Sequence, residues 1–375
     1  MQAIENLESV PSPALLFDAD AIRRNFDLML RIVGGDSSKL RPHIKTHKCG
    51  EILKLQHRLG IRQVKAATVA EAELAAQSGM IDVLVSYPLI GPNVARLFDL
   101  VSAYPETRFS CLVDSEEALG GFIRTGYEPI HLFVDLDCGM HRTGISPGPG
   151  IVDLVQAIVG NPTLRFAGLH VYDGHIHDAT LEARTVQFEA AMALVDESLA
   201  AIESKVGPVP LLVAGGSPTF GLHASRALSD PRLRQCSPGA SVLWDCGYGT
   251  NFSDLQFEPA CFLLTRVVSH PRADVPGRCV VCVDLGHKAV AAENPLDRRV
   301  AFPAIPDVKY LSQSEEHLVL EVNGLSFWPV GTELVGIPYH VCPTVALHQE
   351  AHLIRDGAIT GEAWKIDARD RRITI

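Results

Sequence analysis

Apolar and polar positions follow two rhythms along this chain. Through residue 240, short apolar runs recur: LRPHIK (40–45), QVKAAT (63–68), VLVSYP (83–88), FSCLVD (109–114), HLFVDLD (131–137), FAGLHVYD (166–173), PLLVAGG (210–216) and a weak last one, QCSPGAS (235–241). They are rich in Val, Leu, Ile and Phe, as strands buried on both faces are. Between them the apolar positions take a helical period. Ile22, Phe26, Met29, Leu30 and Val33 share one face, with Asp20 placed to cap the helix. In TVAEAELAAQSG (68–79), Thr68 and Glu71 make a capping box and Gly79 closes the helix. Eight strands alternating with helices over residues 19–240 predict an α/β fold, a closed (β/α)8 TIM barrel. An open doubly wound sheet would want a G-x-G-x-x-G turn after its first strand, and none follows it here. From residue 241 the rhythm changes. ACFLLTRVVSH, GRCVVCVDLG, EEHLVLEV and TELVGIPYHVC read as strands separated by Pro, Gly and Asn. Residues 241–375 are therefore expected to form a mostly β C-terminal domain, to which the N-terminal stretch 1–18, ending in SPALLFD, adds a strand.

Composition sharpens this picture. With 375 residues, 47% of them hydrophobic, the chain is long enough for a large barrel with an appendage. Its formal net charge of −11 argues against nucleic acid and anionic membrane as partners. No apolar run reaches the ~18 residues of a membrane span, and Met1–Pro11 is polar, without a signal-peptide pattern, so the expected compartment is the cytoplasm. Nine cysteines, an odd number, exclude a full disulfide framework. Cys279 and Cys282 form C-x-x-C inside a strand-like run, where residues three apart point to opposite faces and suit a core role.

In a parallel α/β barrel the chemistry sits at the C-terminal ends of the strands. Those positions are dense in polar groups: Pro42–Lys48, Asp135–Gly144, His170–Asp178, Ala214–Thr219 and Ser237–Ala240. The small residues Gly215, Gly216, Ser217, Gly239 and Ala240, before a helix start at Ser217/Thr219, are placed to offer backbone N–H groups to a phosphate. Two ordinary tight turns are the plainer reading, and position at the barrel's usual phosphate site favours the cup. Lys45 closes the first run at the barrel mouth. There, desolvation would free its amine for a Schiff base, against the alternative of a simple ion pair with a nearby acid. A phosphate cup and an imine-forming lysine together are what pyridoxal phosphate needs.

The residues then carry a resemblance. RPHIKTHK resembles the cofactor-lysine motif of the D-threonine aldolase and D-serine dehydratase family, fold-type III pyridoxal phosphate enzymes related to alanine racemase. VDLDCGMHRTGI, GLHVYDGH, VAGGSPT, VDLGHKAV, SEEH and PYHVCPTVALH are similar to later family segments, in the same order from residue 13 to 348. The resemblance implies that Lys45 holds the cofactor aldehyde. It places Arg142 near the phenolic oxygen, Tyr172 near the ring, and Gly215, Gly216, Ser217, Gly239 and Ala240 on the phosphate. It makes His340 and Cys342 the ligands of a divalent metal near the substrate's β-hydroxyl, and it implies a homodimer in which this pair reaches the partner's cofactor.

Read from residues alone, H-V-C on a strand turns an imidazole and a thiolate to one side, fit for one ion, although a buried, metal-free pair is the commoner case. Glu315 and His317 are candidates to stand behind them, with surface strand positions as the equal alternative. After the sixth run, either His175 or His177 is the candidate catalytic base, each with a structural role as the competing reading. His348 and His352, four apart on an expected short helix, read as structural. The activity expected is a lyase acting on a D-3-hydroxy amino acid, with pyridoxal phosphate and a divalent metal. Because thiolate with imidazole suits zinc over manganese or magnesium, the expectation leans to D-serine dehydratase-like elimination. D-threonine aldolase-type cleavage is the alternative, and a metal-free amino-acid racemase ranks behind both.

Overall fold

The computed structural model describes residues 4–124, 127–230, 234–272, 278–323 and 328–375. The chain opens with strand β1 (Ala14–Asp18) and helix α1 (Ala19–Ile32). Asp18, not Asp20, caps α1: its Oδ1 accepts the N–H groups of Asp20 and Ala21 at 3.0 and 2.8 Å. The helix begins two residues earlier than a cap at Asp20 would give, because Asp18 is the last extended residue and its carboxylate reaches the free N–H groups. The molecule divides into two compact units. One holds Leu28–Lys45, Gly50–Gly239 and Asp370–Ile375; the other holds the residues up to Asp27, Thr46–Cys49 and Ala240–Arg369.

In the first unit, β2 (Gln63–Ala66), β3 (Asp82–Pro88), β4 (Arg108–Val113), β5 (Ile130–Leu136), β6 (Leu164–Val171), β7 (Leu212–Ala214) and β8 (Arg234–Cys236) make one parallel sheet in chain order. The intervening helices are α2 (Gly50–Arg58), α3 (Val69–Gln77), α4 (Pro92–Ala103), α5 (Glu116–Leu119), α6 (Pro149–Val159), α7 (Leu181–Lys205) and α8 (Phe220–Ser229). The run expected as the first barrel strand is not a regular strand. It makes single parallel bridges, Leu40 to Cys236 on β8 and His43 to Lys65 on β2, and so joins the two sheet edges. Proline at position 42 removes a ladder donor and breaks the run. The barrel closes through seven strands and this bridging segment. Leu84, Leu112, Phe133, Leu211 and Val213 pack together on the sheet's inner face, each buried side chain contributing roughly 2 kcal/mol.

In the second unit, α9 (Cys246–Asn251) leads to a mainly antiparallel assembly. Its strands are β9 (Cys261–Arg272), β10 (Arg278–Val283), β11 (Val300–Ala301), β12 (Lys309–Gln313), β13 (Leu318–Asn323), β14 (Glu333–Pro338), β15 (Glu350–Arg355) and β16 (Ala358–Lys365), with α10 (Val341–Leu347) between β14 and β15. The order is β12-β13-β10-β9-β1-β15-β16, and β14 pairs with β9 and β11. Strand β1 lies antiparallel to β9 and parallel to β15. Cys279 and Cys282 on β10 are both free and buried. His348 and His352 do not share a helix: His348 ends α10 and His352 lies in β15. The β15–β16 hairpin turns on Asp356-Gly357, both at positive φ (48° and 80°), the turn type that D-G favours. Among the described residues, no helix is long and apolar enough to cross a membrane.

Candidate active site

Lys45 sits in a single 3-10 turn, Ile44–Thr46, rather than at a strand end. The segment before it is pinned from within the barrel. The Arg41 guanidinium, fully buried, meets Asp82 Oδ1 at 2.8 Å and donates through Nε to Gln235 Oε1 at 2.7 Å. His43 holds the turn itself: its Nδ1 accepts the Lys45 N–H at 3.3 Å while Nε2 lies 3.2 Å from Ser86 Oγ. Two strands, β3 and β8, thus fix where the half-buried Lys45 leaves the backbone.

At the ends of β7 and β8 lies the glycine cup. Gly215 has φ +81°, and a Cβ there would collide with His223, whose Nε2 is 2.8 Å from the buried Asp173 Oδ2. Only glycine fits this position. Gly216 passes so close to Tyr172 that an added Cβ would lie 3.3 Å from the ring. Ser217 Oγ accepts the Gly239 N–H at 3.1 Å, tying the two loops together, and α8 begins three residues on. Ser237 Oγ is buried, with no hydrogen-bond partner among the described residues. The Arg142 guanidinium lies over the Tyr172 ring, 4.9 Å from its centroid. A cup at a helix start, an unpartnered hydroxyl and an aromatic with a cation beside it fit the phosphate and ring of pyridoxal phosphate.

The sequence reading missed a buried relay on the same inner face. Lys65 on β2 is 2% exposed, and its Nζ is 3.1 Å from His170 Nε2. His170 Nδ1 lies 2.6 Å from Asp135 Oδ1, and Asp135 Oδ2 accepts from Thr143 Oγ1 at 2.8 Å. Burial pushes the Lys65 amine down to about 7, and Lys45 pushes the same way against Asp135 and Asp173. Burial and Lys65 lower His170 as well, so its ring is neutral, donating to Asp135 and accepting from Lys65. The relay's signal was present: a lysine between Val64 and Ala66 in a buried run, aligned across the sheet with Leu84. Asp135 and His170 are register partners on β5 and β6. Together with Ser86, Leu112, Arg142 and Tyr172 they line a cavity of about 20 Å³.

The two candidate bases part company. His177 is exposed, its Nδ1 2.6 Å from the His175 carbonyl. His175 is half-buried, packs over Gly139, and its buried Nδ1 has no hydrogen-bond partner among the described residues.

In the second unit, His340 and Cys342 are not on a strand. His340 is the N-cap of α10, and Cys342 is its second residue. They come together by helix-start geometry instead: the Cys342 side chain hydrogen-bonds His340 and, with Glu293, raises the imidazole to about 9. His340 Nδ1 lies 2.5 Å from Glu293 Oε1, which leaves Nε2 for another ligand. Cys342 Sγ lies 3.3 Å from Thr46 Oγ1. Asp245 fixes the helix start, accepting the Val341 N–H at 3.0 Å and the Tyr248 N–H at 2.9 Å. Glu293 takes the supporting place expected of Glu315 and His317. Those two are exposed beside the β12–β13 turn, with Glu315 2.6 Å from Lys288 Nζ. Among the described residues, no three His, Cys, Asp or Glu side chains gather as a ready metal site. A soft S/N pair backed by a carboxylate suits a divalent ion with open positions for water or substrate.

A lysine and a glycine-lined cup at one barrel mouth suit the class of pyridoxal phosphate enzymes. The family model "Alanine racemase, N-terminal domain" matches residues 17–241, and "Putative serine dehydratase domain" matches residues 260–354. The chain is 29% identical to the 3-hydroxy-D-aspartate aldolase of Paracoccus denitrificans (strain Pd 1222), over 96% of this chain and 93% of that one. It is also 29% identical to the D-threonine aldolase of an Arthrobacter species, over 97% and 94%. The crystal structure of D-threonine aldolase from Filomicrobium marinum superposes with a TM-score of 0.83 at 29% identity, covering 98% of this chain and 99% of that one. The chain belongs to the alanine racemase-like, fold-type III pyridoxal phosphate family, in its lyase branch of D-threonine aldolases and D-serine dehydratases.

Proposed function

We propose that the protein is a pyridoxal phosphate- and divalent-metal-dependent lyase of D-3-hydroxy amino acids, working as a D-serine dehydratase does, with keto acid and ammonia as products. The observation that carries this reading is the His340–Cys342 pair with Glu293 behind it. Thiolate and imidazole favour zinc, a strong Lewis acid toward a departing hydroxide. Lys45 would hold the cofactor aldehyde; Gly215, Gly216, Ser217, Gly239 and Ala240 would hold its phosphate, with Tyr172 and Arg142 beside its ring. When bound, the cofactor supplies an electron sink for the bond broken at Cα. His340 Nε2 and Cys342 Sγ would hold the metal, which polarises the β-hydroxyl. The Lys45 amine, once released, takes the α-proton at Nζ. Loss of that proton and of the β-hydroxide leaves an enamine that water hydrolyses to keto acid and ammonia.

Retro-aldol cleavage to glycine and an aldehyde is the second reading, favoured by the 29% identity to two aldolases. His175, with its buried Nδ1, would then take the hydroxyl proton in preference to the exposed His177. One experiment decides. D-serine, D-threonine and D-3-hydroxyaspartate are each incubated with the zinc- or manganese-loaded enzyme, and glycine, keto acid and ammonia are assayed together. Keto acid and ammonia from D-serine, best with zinc, are expected. Glycine and acetaldehyde from D-threonine without keto acid from D-serine would establish the aldolase. Full activity after chelation would remove the metal from either reading.

A further inference from the structure

We propose that His223 is a positioning residue of the glycine cup: bonded to Asp173 and seated against Gly215, it holds a buried carboxylate off the phosphate that the cup receives. Three observations meet on it. First, the pair is buried, and no step of the proposed chemistry uses it. His223 lies in the first turn of α8, Asp173 lies two residues past the end of β6, and His223 Nε2 donates to Asp173 Oδ2 at 2.8 Å. Second, the imidazole touches the cup. The same Nε2 would lie 2.7 Å from a Cβ on Gly215, whose own N–H donates to the Val171 carbonyl at 2.9 Å. Third, the ring is held in place: Phe188 on α7 packs edge-on against it, with centroids 4.8 Å apart and planes at 84°.

A buried ion pair contributes little stability over apolar side chains of the same volume, so packing alone does not account for this one. Burial by itself would raise the Asp173 carboxyl. His223 leads the groups that hold it below its ordinary value, so the carboxylate is charged. In a space with little water, that charge opposes a phosphate held by the Gly215 loop. His223 stands between the carboxylate and Gly215. Its N–H satisfies Asp173, and its ring occupies the space that a side chain at position 215 would need. It thereby acts on the phosphate through Asp173 and Gly215.

This inference rests on the reading of the cup as the holder of the cofactor's phosphate. Fluorescence titration of the cofactor-free protein with pyridoxal phosphate, and with pyridoxal, which lacks the phosphate, gives two affinities. Their ratio is the quantity followed, and the wild type is expected to prefer pyridoxal phosphate. His223→Leu fills the ring's space without an N–H and should cut that preference about tenfold, with pyridoxal affinity unchanged. His223→Gln keeps a donor at the Nε2 position and should stay near the wild-type ratio. Asp173→Asn added to His223→Leu removes the opposing charge and should restore the ratio. Should His223→Leu not fold, His223→Asn, whose shorter amide does not reach Asp173, takes its place in both arms. Equal wild-type affinities for the two probes would overturn the reading of the cup, and this proposal with it. A wild-type preference that the folded His223→Leu or His223→Asn variant keeps, or that falls without recovery in the double variant, would overturn the proposal alone and leave the pair a packing element.

Discussion

The pinning of the Lys45 turn can be tested at Asp82→Asn. In the native barrel Asp82 is 7% exposed and faces two guanidinium groups, Arg41 at 2.8 Å and Arg108. Burial alone would raise its carboxyl, but Arg41 first and Arg108 second outweigh it, and the result is about 2 against the ordinary 3.8. That depression is worth roughly 2 kcal/mol at neutral pH. Removing the charge also strands the buried Arg41, a loss of about 3–5 kcal/mol where one partner of a buried pair is deleted. The amide keeps one acceptor, so an intermediate loss of about 2–4 kcal/mol in unfolding free energy is expected. The sign in pH is fixed. A depressed carboxyl contributes stability above its unfolded value of 3.8, and that stability is lost as pH falls toward 2. Urea unfolding of wild type and Asp82→Asn should therefore differ fully at neutral pH and converge in acid. Because Arg41 also bonds Gln235 and leads to Lys45, the variant should release cofactor faster as well. A neutral-pH difference below about 0.5 kcal/mol, or one that persists unchanged in acid, would refute the reasoning.

Other expectations are briefer. Gly215→Ala forces a Cβ into His223 at a positive φ, so cofactor affinity should fall at least tenfold by fluorescence titration, while Gly221→Ala, with open space around it, should leave it unchanged. Lys45→Ala should keep the circular dichroism of the wild type and lose the borohydride-reducible adduct. Cys342→Asp should move metal preference from zinc toward manganese, read by elemental analysis after dialysis against both ions. Glu293→Gln should weaken metal binding by roughly 10- to 100-fold without altering the cofactor spectrum. Light scattering should give a homodimer, and a fully active monomer would remove the expectation that His340 and Cys342 serve a partner's cofactor.

What the linear chain determined was the repeat of buried runs and helical periods, and with it the barrel. Runs of Val, Leu and Ile at regular spacing leave few other ways to bury both faces of a strand. The glycine turn at Gly215–Ser217 was legible too, as small residues after a strand and before a helix. The spacing of His348 and His352 pointed instead to one short helix, where the chain ends α10 and enters β15. Tertiary structure decided the rest. Pro42 turned the first strand into a bridge, and Lys45 came to sit on a 3-10 turn held by residues from two other strands, β3 and β8. His340 and Cys342 met through a helix start fixed by Asp245, nearly a hundred residues away in the chain, and it is Glu293, not Glu315 or His317, that bonds His340. Lys65, His170 and Asp135 lie on three different strands, and only the sheet's register brings them within hydrogen-bond reach. Periodicity is a local property of the chain, whereas partnership between buried charges depends on which strands become neighbours, and that is set only when the barrel closes.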